Sequence, residues 1–311
     1  MIHAARAFLC ASVLAVVLAC LTGCNVVAWQ QGKIETGMRA AGLEPATVRL
    51  GADTVHYWAG GHGPTVVLVH GFGGSAEWLW FPQADDLAKD HRIIMPDLLW
   101  FGDSRSDQQD FTIDHQVRAL EALLDRLDAR EADVVGVSYG GLVAHELASD
   151  RAASVRHLVL VDTPGRVYTR EDYRLLCRRF HVDHLGRVLV PSDADGVSQL
   201  LGLAYFDPPW VPGFALEQTL TALYAPYRQE RAALLDGLLD NIDAIEARPV
   251  TLTARTMVVW GRQDPVFPLE VGERLATRLR APLRVVESAR HAPNLEHPDT
   301  FNRILREFIA N

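Results

Sequence analysis

Cysteine is scarce. Of four in 311 residues, three stand within the first 24 as Cys10, Cys20 and Cys24, and only Cys177 follows, so a disulfide-stapled body and a cysteine-based metal site are excluded. Basic charge is also short: 30 Lys and Arg face 39 Asp and Glu, for a formal net charge of −9. That balance leaves no footprint for a phosphate backbone, and no nucleic-acid partner is expected. The apolar run at residues 7–19 falls short of the roughly 20 residues that a membrane-spanning helix needs. Disorder is excluded by 49% hydrophobic against 22% charged residues, and what remains is an ordinary globular composition. The length suits one large or two medium domains at roughly 100–200 residues each. A small neutral or apolar ligand is the expected partner.

His3 and Arg6 open the chain, residues 7–19 are apolar, and the run closes in Leu21-Thr22-Gly23-Cys24. This resembles the lipobox of bacterial lipoproteins, which implies a signal peptide at residues 1–23 and a lipidated Cys24 as mature N-terminus. An ordinary signal peptide or an uncleaved anchor is the alternative. Each acyl chain contributes about 0.8 kcal/mol per buried CH₂, so several would hold the protein to a membrane. Asn25 leans towards an outer-membrane site facing the periplasm. Residues 24–46 form a tether, with a helix at 26–43 that places Val27, Ile34, Met38 and Ala41 at helical spacing and packs on the body. Cys177 is expected to be inert and partly buried.

From residue 47 the pattern turns strand-like, at 47–50, 54–58 and the run Thr65-Val66-Val67-Leu68-Val69. Apolar runs at 92–95, 133–137, 157–161, 256–260 and 283–286 follow, spaced by helical stretches such as 114–127 and 141–149. This alternation predicts an α/β fold with a mostly parallel central sheet flanked by helices. Between Pro164 and Pro249 there is no strong strand signal, only helix-prone segments and aromatic-rich breaks such as Tyr205-Phe206-Asp207-Pro208-Pro209-Trp210. Residues 47–163 and 250–311 are therefore expected as two parts of one core, and 164–249 as a helical cap over the carboxyl edge of the sheet.

Gly136-Val137-Ser138-Tyr139-Gly140 fits G-x-S-x-G between a strand and a helix, the context in which this motif presents a nucleophile on a strained turn. A serine hydroxyl is a weak nucleophile at neutral pH and needs a base and an orienting acid. His291 follows the run 283–286 and Asp264 the run 256–260, in the chain order Ser, Asp, His. Asp162, which ends the run 157–161, is the alternative acid, whereas Asp97 reads as a turn or capping residue. His297 reads as structural or superficial, and His145 and His157 as packing or surface residues. In His70-Gly71-Phe72-Gly73-Gly74 the Phe72 N–H can aim with the Tyr139 N–H at one oxyanion, each such donor contributing ~3–4 kcal/mol.

These motifs, with Pro96-Asp97-Leu98-Leu99-Trp100-Phe101-Gly102-Asp103-Ser104 and Arg290-His291-Ala292-Pro293-Asn294-Leu295-Glu296, resemble those of α/β-hydrolase-fold serine hydrolases, and more closely bacterial lipases and esterases. The resemblance runs from residue 47 to the C-terminus, with the insertion matching in type. It implies Ser138 as nucleophile, Asp264 as acid, His291 as base, Phe72 and Tyr139 as oxyanion donors, a small-molecule ester as substrate, and no metal or organic cofactor. Trp100 departs from the small residues usual in its loop. Ser138 separates the chain from similar dehalogenases and epoxide hydrolases, which carry Asp at the elbow. Serine-dependent C–C hydrolases of ring-cleavage products are the second reading, although they carry Trp after the catalytic histidine where this chain has Ala292. A catalytically inactive binding module is a third, opposed by the intact Ser, Asp and His. Short to medium acyl chains are expected, with Trp78, Trp80, Trp100, Tyr205, Phe206, Trp210 and Phe214 supplying apolar area near the site and Trp210 part of the pocket.

Overall fold

The computed structural model describes residues 25–150 and 154–310, so the expected signal peptide and Cys24 lie outside the described residues. The first element is helix α1 (Val26–Ala40), which the Asn25 side chain caps by accepting the Ala28 N–H. It stops short of the expected residue 43 because Gly42 takes φ +82° and Leu43 already belongs to a strand. As expected from its spacing, α1 buries Val27, Ile34 and Met38.

Among the described residues nine strands form one sheet: β1 (Leu43–Leu50), β2 (Asp53–Gly61), β3 (Thr65–Val69), β4 (Arg92–Pro96), β5 (Arg105–Ser106), β6 (Ala132–Val137), β7 (Val155–Val161), β8 (Arg255–Gly261) and β9 (Leu283–Val286). The order is β1-β2-β4-β3-β6-β7-β8-β9, with β5 on β2. Pairings of β1 and β2 are antiparallel, and those from β4 through β3 to β9 are parallel. The central strands are continuously apolar because both faces are covered. Val67, Val69, Val134, Leu158, Leu160, Val258 and Trp260 point into one core, and Val66, Leu68, Val135, Val159, Val161, Met257 and Val259 into the other.

Helices α2 (Ala76–Leu87), α3 (Ile113–Arg126) and α4 (Tyr139–Asp150) connect these strands. The cap lies between β7 and β8 as α5 (Arg170–Arg179), α6 (Gly186–Leu189), α7 (Ala194–Ala204), α8 (Gly213–Thr219), a π-turn (Leu220–Tyr224), α9 (Arg228–Asp240) and α10 (Ile242–Glu246). The chain closes with α11 (Leu269–Leu279), α12 (Pro293–Glu296) and α13 (Pro298–Ile309). Glu146 of α4 clamps both roots of the cap. Its buried carboxylate takes Arg166 Nε and Nη2 at 2.7 and 2.8 Å and Arg248 Nη1 at 2.6 Å. Burial opposes its ionisation, but the two guanidinium groups outweigh that and hold its pKa below the ordinary range.

Two pieces of the sheet go beyond the sequence pattern. The start of β1, Leu43 to Ala46, contains Pro45, which an edge strand tolerates because one side of its ladder is unpaired. β5 has two residues and no apolar run, and exists only through its pairing with Asp53 and Thr54.

Candidate active site

The turn from β6 into α4 holds Ser138 at φ +55°, a left-handed conformation that a side chain adopts only under strain. Close approach demands the flanking glycines. A Cβ on Gly136 would stand 2.4 Å from the Gly140 carbonyl oxygen, and one on Gly140 would stand 2.1 Å from the His70 oxygen. The Ser138 N–H donates to Val161 O at 2.9 Å, anchoring the turn to the neighbouring strand.

Three groups far apart in the chain meet here. Ser138 Oγ lies 2.9 Å from His291 Nε2, and His291 Nδ1 lies 2.8 Å from Asp264 Oδ2. A carboxylate can only accept, so Nδ1 carries the imidazole proton and Nε2 is free to accept from the serine hydroxyl. Asp264 is buried, and its Oδ1 accepts the Val266 and Phe267 N–H groups at 2.7 and 3.2 Å. The Phe267 ring rests against His291 with centroids 5.5 Å apart. Ser138 and His291 are only half-buried, which leaves them open to a substrate.

Asp162, the alternative acid, is not on the histidine. It sits at the end of β7 with φ +39°, its Oδ1 accepting the Gly261 N–H at 2.9 Å and its carboxyl against that of Asp264. Complete burial, then the negative Asp264 beside it, push its pKa well above the carboxylate range. Asp162 is thus the neutral partner of a carboxylic acid–carboxylate pair, because two buried like charges in contact cannot both ionise.

The His70–Gly74 loop passes directly over the elbow: a Cβ on Gly71 would stand 3.0 Å from Ser138 Cβ. The Phe72 ring meets Tyr139 and Phe101 edge-on, at 5.0 and 5.2 Å. Tyr139 opens α4, so its N–H has no partner within the helix. His70 accepts the Leu98 N–H on Nε2 at 2.9 Å and donates from Nδ1 to Gly71 O at 2.7 Å. Burial lowers its pKa, and the neutral ring acts as a strut beneath the loop.

The other candidates fall outside this cluster. Asp97 is buried, accepting the Ala76 N–H at the start of α2 at 2.8 Å and bonding His56 Nδ1 at 2.8 Å. His145 is buried in α4, where burial and then the Arg166 charge push its pKa down to about 4. His157 bonds Asp133 at 2.8 Å, His297 bonds Ser288 O at 3.0 Å near the surface, and Cys177 is a buried free thiol. One further residue shapes the site without belonging to a recognisable motif role. Glu296 accepts the Arg290 N–H at 2.6 Å and also the Phe206 N–H, bracing the His291 loop against the cap. Its only signal was its place five residues after the histidine.

Beside the site, between cap and core, lies a cavity of about 90 Å³ whose walls include Leu142, Leu176, Leu235, Ile245, Tyr168 and Phe267. None of the aromatic residues expected to supply apolar area near the site lines this cavity. Trp80 packs on Phe301 beneath the opposite face of the sheet, and Trp78 beside that core. Trp100 is buried against Phe111 and His115 at φ +66°, its carbonyl accepting Arg231 Nε at 2.9 Å. Tyr205 is half-buried outside the cavity wall, Phe206 and Phe214 are exposed, and Trp210 is 87% exposed, so Trp210 is not part of the pocket. Composition marks apolar area but not which side of a thin helical layer it faces, and here the inner side is rich in leucine.

Residues 66–304 match the model of the alpha/beta hydrolase family, and the chain belongs to that family of hydrolases. It is 31% identical over 262 residues to the 2-hydroxymuconate semialdehyde hydrolase of Pseudomonas sp. (strain CF600), covering 80% of this chain and 88% of that one. It is 25% identical over 268 residues to the monoacylglycerol lipase ABHD6 of Homo sapiens, covering 81% and 77%. The crystal structure of a bacterial membrane phospholipase A superposes with a TM-score of 0.78 at 23% identity, covering 98% of each chain, a likeness of fold.

Proposed function

We propose that the protein is a serine carboxylic-ester hydrolase with an apolar acyl site, held to the cell envelope by lipid on Cys24. The observation that carries the reading is the continuous relay Ser138 Oγ to His291 Nε2, Nδ1 to Asp264 Oδ2, at 2.9 and 2.8 Å. Ser138 Oγ attacks the ester carbonyl as His291 Nε2 takes its proton, and Asp264 stabilises the imidazolium. The Phe72 and Tyr139 N–H groups bind the tetrahedral oxyanion, aided by the positive end of α4. His291 returns the proton to the departing alcohol, leaving an acyl-serine. Water, deprotonated by the same histidine, then releases the acid and restores Ser138.

Leu142 and Phe267 flank the elbow and the histidine and also line the cavity, which supports its use for the acyl chain. A single water needs roughly 10–15 Å³ on the same measure, so the cavity of about 90 Å³ takes several methylene groups and no long chain. In p-nitrophenyl esters from acetate to palmitate, kcat/KM should rise by up to ~0.8 kcal/mol per added CH₂ and then fall at medium length. Leu235→Trp, which fills the cavity, should move the optimum to shorter chains. A parent profile still rising at palmitate would contradict the acyl-site assignment.

A second reading, hydrolysis of a C–C bond in a ring-cleavage product, is favoured by the 31% identity to the 2-hydroxymuconate semialdehyde hydrolase and opposed by Ala292 after His291. Faster turnover of that semialdehyde than of any ester would select it. Among the described residues no helix is long and apolar enough to cross a membrane, and the anchoring proposal rests on residues 21–24. In a bacterial host the parent should partition with the membrane fraction and take up labelled fatty acid. Cys24→Ser should lose the label and accumulate as precursor, and a parent found unlabelled and soluble would remove the anchor. Asn25 directs the anchored protein to the periplasmic face of the outer membrane in this reading.

A further inference from the structure

Of the seven large apolar side chains exposed among the described residues, four lie along one connected path: Trp29, Phe214, Trp210 and Phe206. The Val26 N–H donates to Gln218 Oε1 at 2.9 Å, joining the first turn of α1 to α8. Trp29 stands about one turn along α1 from Val26, and Phe214 one turn along α8 from Gln218. Trp210 and Phe206 continue the path back towards the end of α7. There the chain meets the catalytic loop, where the His291 and Ala292 N–H groups donate to the Leu203 and Ala204 carbonyls at 3.3 and 3.1 Å. Phe206 itself is tied to Glu296, which braces that loop. On the other side of the site, Tyr224 Oη of the π-turn donates to Gly73 O at 3.0 Å. The path therefore runs from the chain's first described helix to the edge of the opening above Ser138.

We infer that this aromatic rim docks on the surface of a lipid bilayer and sets the mouth of the active site against it. Aromatic rings, tryptophan above all, favour the headgroup level, where an apolar body and a polar edge are both accommodated. Exposed at 64% and 87%, Trp29 and Trp210 gain most from such a surface. Lys33 stands 4.4 Å over the Trp29 ring and adds a cation that suits anionic headgroups. The proposed lipid on Cys24 selects a bilayer over a protein partner. Cys24 directly precedes Asn25, the cap of α1, so an acyl group there would enter the membrane about one helical turn from Trp29. The inference rests on the lipid-anchor reading for this geometry. Through it the substrate class narrows to esters presented in a membrane, taken directly from the lipid surface.

The test uses the lipidated full chain in phosphatidylcholine vesicles containing a minor share of phosphatidylglycerol, with two substrates: water-soluble p-nitrophenyl butyrate and vesicle-borne monolauroylglycerol. Trp29→Ser and Trp210→Ser should each lower turnover of the vesicle-borne ester by roughly tenfold, the effect of losing part of one interfacial ring. Both should leave the soluble ester unaffected, as should the control Leu175→Ser on both substrates. A second readout does not need activity. Brominated phosphatidylcholine should quench the parent's tryptophan fluorescence, and most of that quenching should be lost in the Trp29→Phe, Trp210→Phe double variant, in which Trp58, Trp80, Trp100 and Trp260 are buried and Trp78 is half-buried. Equal losses on both esters, or an unquenched parent, would overturn the docking rim. A parent that cleaves neither ester would instead strike the ester-hydrolase reading, and quenching alone would then decide docking.

Discussion

Ester turnover should fall by roughly 10⁶-fold in Ser138→Ala, the scale seen when the nucleophile of such a unit is removed. The loss is large because no neighbouring group can substitute. His291 Nε2 would keep its lone pair but have no hydroxyl to activate, and Asp264 is buried behind the ring. The fold should survive, since the Ser138 N–H bond to Val161 O and the turn geometry do not involve the hydroxyl. A fluorophosphonate probe should label the parent and leave Ser138→Ala unmarked. Labelling of both would place the nucleophile elsewhere.

The second large effect separates the two buried acids. Asp264→Asn should cost roughly 10⁴-fold, because an amide N–H turned towards Nδ1 forces the proton onto Nε2, which can then no longer accept from Ser138. Asp162→Asn should cost far less: the new amide oxygen can still accept the Gly261 N–H, and the amide, like the protonated carboxyl, places no charge beside Asp264. If the order of these two losses is reversed, the acid is Asp162.

The same substitution has an opposite consequence for stability. Asp162 has a folded pKa raised above its unfolded value, so the folded chain holds a proton that the unfolded chain releases above about pH 4. The stability associated with that proton is fully present below pH 4 and is lost as pH rises towards the folded pKa. Asparagine has no such proton to lose. Asp162→Asn should therefore raise Tm at pH 7 relative to the parent, with the difference shrinking towards pH 4. A Tm difference independent of pH would mean that Asp162 is ionised in the fold.

Much of the molecule is legible in the order of residues because it depends on neighbours along the chain. The run Val66 to Val69 is apolar at every position since helices cover both faces of its strand, and that pattern alone predicts a buried parallel strand. Gly136 and Gly140 announce the elbow because the contacts that exclude a Cβ arise within one tight turn and its neighbouring loop. What the linear order could not contain is which distant groups share a space. Asp162 and Asp264 each follow a strand, and only the positions of β7 and β8 beside the histidine loop put one on the imidazole and the other behind it. Glu146 carries no motif, yet the cap's two roots converge on it. The aromatic segment from Tyr205 to Phe214 shows abundant apolar area, but which of its faces meets solvent is settled by how α7 and α8 pack, and they turn Trp210 outward. Local sterics and periodicity are properties of the sequence by itself. The choice of acid, the leucine lining of the cavity and the exposed rim belong to tertiary structure, because each is a contact, or the lack of one, between segments that only the folded path of the chain brings together.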